Sequence, residues 1–423
     1  MGPADLDLKH VWHPFTQADE WEASAPLVIE RAEGAWLFDT EGRRYLDGVA
    51  SLWVGVHGHR HPHVDAAVTE QLGRVAHSTL LGLANLPSTE LAALLCQKTG
   101  FDRVFYSDCG SSAVEVALKM AFQWHQQRGD TGRRRFAALA EAYHGDTLGA
   151  VSVGGISLFH EVYGPLLFPS LRLPCPADRE AEEALSEMAV EAIHDAGDSL
   201  AALIVEPFVQ GAAGMRMHTA AYLEPVIAGA REVGALVICD EVAVGLGRTG
   251  PFLASERLSA PPDIVCLGKG LSNGYLPLAA TLTTERIYDG FRGDHGRTFF
   301  HGHTFTGNPL ACAAARACLE LFDSEHTLSN VEARALQLSG GLERLAGLSS
   351  VKGVRQLGLM AAVDLASDAK RQGHRICLAL REHEVLLRPL GNTLVLMPPL
   401  CISAMELDHL VDALERVLGP VVS

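Results

Sequence analysis

Positive charge is scarce in this chain: 34 lysines and arginines face 51 acids, a formal net charge of −17. A surface this acidic repels nucleic acid and anionic membranes, so neither is expected as a partner, although an isolated basic pocket stays possible. No apolar run approaches eighteen residues, which excludes a membrane-spanning helix. The start, MGPADLDLKHVWHPF, lacks the basic stretch and apolar core of a signal peptide, and a cytoplasmic location is the expectation. Nine cysteines include no CxxC pair and sit mostly in apolar runs such as ALVICDEV and DIVCLGKG. They read as small core residues in a reducing compartment, not as a disulfide framework. A GxSxG elbow is missing as well, so Ser-His-Asp hydrolysis finds no support.

What is present is the composition of a large globular core: 423 residues, 48% hydrophobic and 20% charged, with two domains as the natural expectation. The first fifty residues hold short strand-like pieces, LVIER, GAWLFD and YLDGVA, parted by turn signals, a small meander. From about residue 65, apolar strand-sized runs alternate with helical stretches, the pattern of a largely parallel sheet covered by helices. Candidate buried strands are Arg103 to Tyr106, Phe136 to Ala140, Ala202 to Val205, Ala235 to Cys239 and Ile264 to Leu267. An Ala/Glu-rich helix is expected near 180–195. A long helical pattern over 312–345 would leave the core and enter a C-terminal α/β piece.

Four segments carry chemistry. In DIVCLGKGLSNGYLPLAA an apolar strand delivers Lys269 between two glycines, with no neighbouring side chain to block a bulky group. Desolvation there lowers a lysine toward a usable nucleophile for a carbonyl; the alternatives are a lysine that snorkels to solvent or binds phosphate. The strand ALVIC ends in Asp240 and Glu241, in the crevice where α/β sheets bind ligands. A carboxylate there suits a protonated pyridine nitrogen, and equally a magnesium ion or a helix cap. RVFYSDCGSSAVEVALKMA reads as strand, tight turn and helix. Ser112 and Glu115 stand in capping-box spacing, and Gly110 and Ser111 lie at a helix N-terminus that suits a phosphate. AEAYHGDTLGA places Tyr143, His144 and Asp146 in one turn, where the tyrosine face could stack on a ring or simply pack. The histidines at 57, 59, 61 and 63 invite a metal, but Gly58 and Pro62 break the strand that would align them, and none is expected.

Together these segments resemble the fold type I enzymes that use pyridoxal 5′-phosphate, and specifically the class III aminotransferases. The likeness runs through DGVASLWVGVHGHRHP, DCGSSAVEVALKMA, YHGDTLGAVSVGG, VEPFVQGAAGM, DEVAVGLGRTG, GKGLSNGYLPLAA and HGHTFTGNPLACAAA, nearly the whole chain. It implies a large, mostly parallel sheet domain over 51–324 and a small α/β domain made from 1–50 and 325–423. It also implies a homodimer with shared active sites. By that resemblance Lys269 is the Schiff-base lysine, Asp240 pairs with the pyridine nitrogen, Gly110 and Ser111 hold the phosphate and Tyr143 stacks on the ring. His144 and His303 join the cofactor set, and Thr304 would reach the phosphate of the neighbouring subunit.

Within the class, HVWHPFTQ, EPFVQGAAGM and LLRPLGNTLVLMPPL are similar to the biotin-pathway branch, which aminates 8-amino-7-oxononanoate to 7,8-diaminononanoate. Arg388 would then grip the acceptor's carboxylate, although a surface arginine is the plain alternative. Phe15 and Trp53 would wall a channel for the methylene chain, with Leu52, Tyr143, Asp146, Lys269 and Gly302 completing the substrate set. Members acting on 4-aminobutyrate or ornithine usually carry glutamine three residues after the strand-end aspartate, where this chain has Ala243. Departures touch the donor side. Leu52 stands where the S-adenosylmethionine users have a tryptophan, Phe15 and Leu400 replace tyrosines, and His303 replaces a proline. SLWVGVHGHRHP and STLLGLANLP are similar to a subgroup with lysine-using members, so both donors stay open. The rivals are an ω-amino acid:pyruvate or diamine aminotransferase, an aminomutase, and a non-catalytic protein on the same fold.

Overall fold

The computed structural model describes residues 1–24, 26–177 and 179–419. Its largest sheet has seven strands in the order Arg103–Ser107, Ala279–Thr283, Ile264–Leu267, Leu236–Asp240, Leu200–Val205, Arg135–Leu139 and Leu171–Leu173. Neighbours run parallel except Ala279–Thr283, which is antiparallel to both of its partners. The central strands Leu200–Val205 and Leu236–Asp240 are buried at every position, because helices cover both faces of the sheet. Side chains alternate between those faces. Leu236 and Ile238 pack with Ala113, Val114 and Ala117 of the helix Gly110–Gln127, while Val237 and Cys239 join the main core with Tyr222, Leu223 and Val226 of the helix Ala220–Glu232.

The expected strands fall within two residues of those observed, and the α/β architecture is the one anticipated. Two strands of this sheet were not anticipated, Leu171–Leu173 and Ala279–Thr283. The single helical pattern over 312–345 is in fact two helices, Pro309–Ser324 and Thr327–Ala346. The chain turns between them at His326, whose φ of 52° no helix can continue.

The meander near the N-terminus is a sheet of Ile29–Glu33, Trp36–Asp39 and Arg44–Asp47, and Val385–Leu386 adds a fourth strand parallel to Arg44–Asp47. A further antiparallel sheet, Val351–Leu357, Met360–Leu365, Thr393–Leu396 and Arg388–Leu390, lies in the C-terminal part. The helix Ala404–Leu418 packs there through Leu407, Leu410, Val411 and Leu414, the stripe of an amphipathic helix, and starts on a Ser403–Glu406 capping box. Buried Arg248, from GLGRTG, donates to the carbonyls of Gly55 and Pro398 at 2.5 Å each and so ties the start of the core to the C-terminal part. Among the described residues no helix is long and apolar enough to cross a membrane.

Candidate active site

Because the strands Arg135–Leu139, Leu200–Val205, Leu236–Asp240 and Ile264–Leu267 run parallel, the residues that follow them meet along one edge of the sheet. Asp240, the last residue of its strand, is 4% exposed. Its Oδ2 lies 2.7 Å from His144 Nδ1 and its Oδ1 accepts the Val242 N–H at 3.0 Å. Neighbouring Glu241 points away, accepting the N–H groups of Ala254 and Ser255 and the Ser255 hydroxyl. It fastens a turn, and burial pushes its carboxyl up to about 7. The period of two along a strand is what separates the two acids.

Lys269 follows the strand Ile264–Leu267 with a left-handed φ of 42°. Its Nζ sits 5.0 Å from the centre of the Trp53 ring. Burial holds its ammonium below the ordinary lysine range, with Asp240 and Glu206 acting in the opposite direction. Trp53 is delivered by a bent stretch in which Ala50, Ser51 and Trp53 all have positive φ. The Asp47 carboxylate pins that stretch by accepting the Ser51 N–H at 2.7–2.8 Å, while also holding His59 at 2.9 Å.

Half-buried Tyr143 donates its hydroxyl to Asp146 at 2.7 Å, and burial, reinforced by that bond, raises its pKa. Its backbone N–H goes to Glu206, which also accepts the N–H of Gly211, at 3.2 and 3.0 Å. Glu206 was not singled out from the sequence, yet it follows the strand Leu200–Val205 as Lys269 and Asp240 mark the ends of theirs. It joins the Tyr143 turn to the Gly211 turn.

Burial lifts the Glu206 carboxyl to about 7, with Asp240 adding to the rise and His144 opposing it. Folded Glu206 therefore keeps a proton that an unfolded glutamate releases near 4.5. The stability this confers is complete below that value and is lost as pH rises through about 7. Glu206→Gln, neutral throughout, is expected to gain on the wild type by roughly 1–3 kcal/mol between about pH 5 and about pH 8, as measured by urea unfolding. An unchanged difference at both pH values contradicts the assignment.

The helix Gly110–Gln127 begins without a side-chain cap. The anticipated Ser112–Glu115 box does not form. Ser112 donates to Asp108 at 3.0 Å, and Glu115 instead accepts the Thr147 hydroxyl and the Gly149 N–H at 2.6 and 2.8 Å. The helix's first N–H groups are thus left available to an anion. Gly110 and Ser111 form its first turn, and a Cβ on Gly110 would stand 2.6 Å from Val242. Gly145, at φ +115°, lets the Tyr143 turn close on Ser111, where a Cβ would come within 2.5 Å. Ser111 Oγ lies 2.7 Å from Thr147 Oγ1.

These residues border a cavity of about 520 Å³ lined by Phe15, Leu52, Trp53, Glu141, Tyr143, Ile156, Leu158, Phe159, Lys269 and Arg388, and closed by segments 212–214 and 389–395. Phe159 stands edge-on to both Phe15 and Tyr143, at 5.4 and 6.2 Å, and is a wall residue the sequence did not reveal. Arg388 is exposed and, among the described residues, its guanidinium has no hydrogen-bond or ion-pair partner, although its backbone pairs with Val395. Gly302, His303 and Thr304 do not line this cavity. Gly302 and Thr304 are exposed, and His303 Nε2 lies 3.9 Å from Asp108. The four early histidines go to four different partners: the Cys318 carbonyl, Asp47, Glu325 and Glu320.

A half-buried lysine lowered by desolvation, a fixed carboxylate at the next strand's end, an open helix N-terminus and a buried His144 Nε2 with no partner among the described residues together fit a cofactor with an aldehyde, a basic ring nitrogen and a phosphate. Residues 17–418 match the family model described as aminotransferase class-III. The chain belongs to the class-III aminotransferases. This aminotransferase is 51% identical, over 98% of its length and 81% of the relative's, to the adenosylmethionine-8-amino-7-oxononanoate aminotransferase of Nitratidesulfovibrio vulgaris. The crystal structure of the Methanocaldococcus jannaschii protein of the same name superposes with a TM-score of 0.94 at 40% identity, covering 98% of each chain. A PLP-bound amine transaminase from an uncultivated Pseudomonas species superposes at 0.90 with 36% identity, covering 97% of this chain and 98% of that one.

Proposed function

We propose that this aminotransferase converts 8-amino-7-oxononanoate to 7,8-diaminononanoate in biotin synthesis, with pyridoxal 5′-phosphate as cofactor and S-adenosylmethionine or lysine as amino donor. The observation that carries the reading is the cavity, which combines a desolvated lysine, apolar walls and an unpartnered guanidinium. A long-chain keto acid needs all three. When bound, the cofactor supplies a carbonyl that captures an amine and a ring that withdraws electrons from the carbon bearing it.

The protein's own residues do the rest. Lys269 is the group that holds the cofactor and, when free, moves a proton at Nζ. Asp240, oriented by His144 and the Val242 N–H, would hold the cofactor's ring nitrogen. Gly110 and Ser111 would take the phosphate at the helix N-terminus, and Tyr143, steadied by Asp146, would cover the ring. Phe15, Leu52 and Trp53, together with Phe159, exclude water along the methylene chain, and Arg388 takes the carboxylate. Arg388→Ala is expected to raise half-saturation by the acceptor roughly 10- to 100-fold with a smaller change in rate. An effect under threefold removes Arg388 from this role.

Gly302, His303 and Thr304 serve the neighbouring subunit of a homodimer in this reading. It is supported by Leu81, Phe300 and Phe305, large apolar side chains exposed in the single chain that a second copy would cover. The shared sheet of Arg44–Asp47 with Val385–Leu386 supports a small domain built from 1–50 and 325–423 around a large one of 51–324. Nine unpaired cysteines accord with the cytoplasm.

The decisive experiment is a half-reaction on holoenzyme, following the cofactor's absorbance as S-adenosylmethionine, lysine, 4-aminobutyrate and alanine are added separately. Conversion by either of the first two, reversed by 8-amino-7-oxononanoate, is the expected result. Conversion by alanine or 4-aminobutyrate without reversal by that acceptor overturns the pathway assignment.

A further inference from the structure

The cavity has three charged residues on its wall, Lys269, Arg388 and Glu141, and the roles above use only the first two. We propose that Glu141 recognises the second positive charge of a cationic amino donor, the sulfonium of S-adenosylmethionine or the distal ammonium of lysine. This rests on the reading of the site given above and narrows it to donors of one charge type.

Glu141 lies two residues beyond the strand Arg135–Leu139, in the turn that carries Tyr143. Its φ is 60°, a left-handed conformation that a residue with a Cβ adopts only at a cost. The turn is pinned there. The Gly155 N–H donates to the Ala142 carbonyl at 2.7 Å, and a Cβ on Gly155 would stand 2.6 Å from the Glu141 nitrogen. The three other acids around the site all have partners: Asp240 with His144, Asp146 with Tyr143, and Glu206 with two backbone N–H groups. Among the described residues, the Glu141 carboxylate has none. It is half-buried, so it has lost part of its hydration without a protein donor in return, and a ligand cation restores the balance.

Charge complementarity then fixes the ligand class. Arg388 and Glu141 offer opposite charges to a cavity whose other walls are mainly apolar. The ligand that satisfies both has a carboxylate and a cation separate from the reacting amine. S-adenosylmethionine and lysine have both; alanine and 4-aminobutyrate have the carboxylate but no cation besides the amine that reacts.

The test is the donor half-reaction with Glu141→Gln and Glu141→Asn holoenzymes. Asparagine tolerates the left-handed backbone better than glutamate, so a fold as stable as the wild type is expected for that variant. Half-saturation by S-adenosylmethionine or lysine should rise about tenfold or more, the size of one close charge pair in a partly desolvated site, while half-saturation by 8-amino-7-oxononanoate stays within about twofold. Unchanged donor half-saturation in both variants overturns the assignment and leaves the functional reading standing. So does an equal rise for the acceptor, whose own ammonium neighbours its ketone. Wild-type conversion by alanine alone overturns the functional reading itself, and the donor assignment with it.

Discussion

Lys269→Ala is expected to lower transamination by about four orders of magnitude, the upper range for losing a positioned group that transfers protons. Loss of the covalent anchor adds to that. The side chain lies on the Trp53 face and burial holds its ammonium below the ordinary lysine range, a shift that favours the amine form, the one that attacks a carbonyl. Alanine supplies neither nucleophile nor base, and the other nearby groups, Asp240 and Glu206, are engaged in hydrogen bonds of their own. Two measurements check this: steady-state rate, and borohydride reduction followed by peptide mass spectrometry. The wild type should acquire the cofactor's mass on the peptide containing Lys269, and the variant should not. Activity within tenfold of the wild type, or labelling at another lysine, contradicts the role.

Asp240→Ala is expected to cost about 10³-fold in turnover, in the range seen when a preorganised charge in a water-poor site is removed. The reason lies in its surroundings. His144 and the Val242 N–H hold the carboxylate in one orientation, and at 4% exposure no water competes for it. In the role proposed for it, its loss would leave a ring nitrogen without a counter-charge; it also pushes Lys269 lower still, since Asp240 is the nearby charge that most raises it. Cofactor attachment at Lys269 should persist, so the borohydride label separates this variant from Lys269→Ala. A variant that turns over normally would return Asp240 to the capping role that its bond to the Val242 N–H also allows.

Much of this was legible because its signals are local. An apolar run that ends in an acid or in Gly-Lys-Gly reports a strand and the polar residue at its end together, and Asp240 and Lys269 both stand where that pattern puts them. Glu206 follows its strand by the same rule, but its meaning comes from Tyr143 and Gly211, the first 63 residues away, and no local pattern encodes that pair. The capping-box spacing of Ser112 and Glu115 is a true local preference overridden by tertiary contacts, because Thr147 and Gly149 offer the Glu115 carboxylate better partners. Ala279–Thr283 was missed because its direction is set by insertion between two strands whose sequences say nothing of it. Leu158 and Phe159 wall the cavity only because the turn after residue 154 brings them back over Tyr143.

The strand Val385–Leu386 also dictates when this protein can fold. Arg44 and its partner Glu384 are 340 residues apart, and the sheet beside them is completed only when the later strand arrives. At about 5–20 residues per second on the ribosome, the first three strands wait roughly 20–70 s for the fourth. During that interval Leu46, buried in the finished protein and bonded through its N–H to the Glu384 carbonyl, lacks part of its native cover, and the strand's outer edge is open to wrong pairing. A chain cut short before Val385 never gains that cover, and its expected fate is aggregation, not a smaller working enzyme.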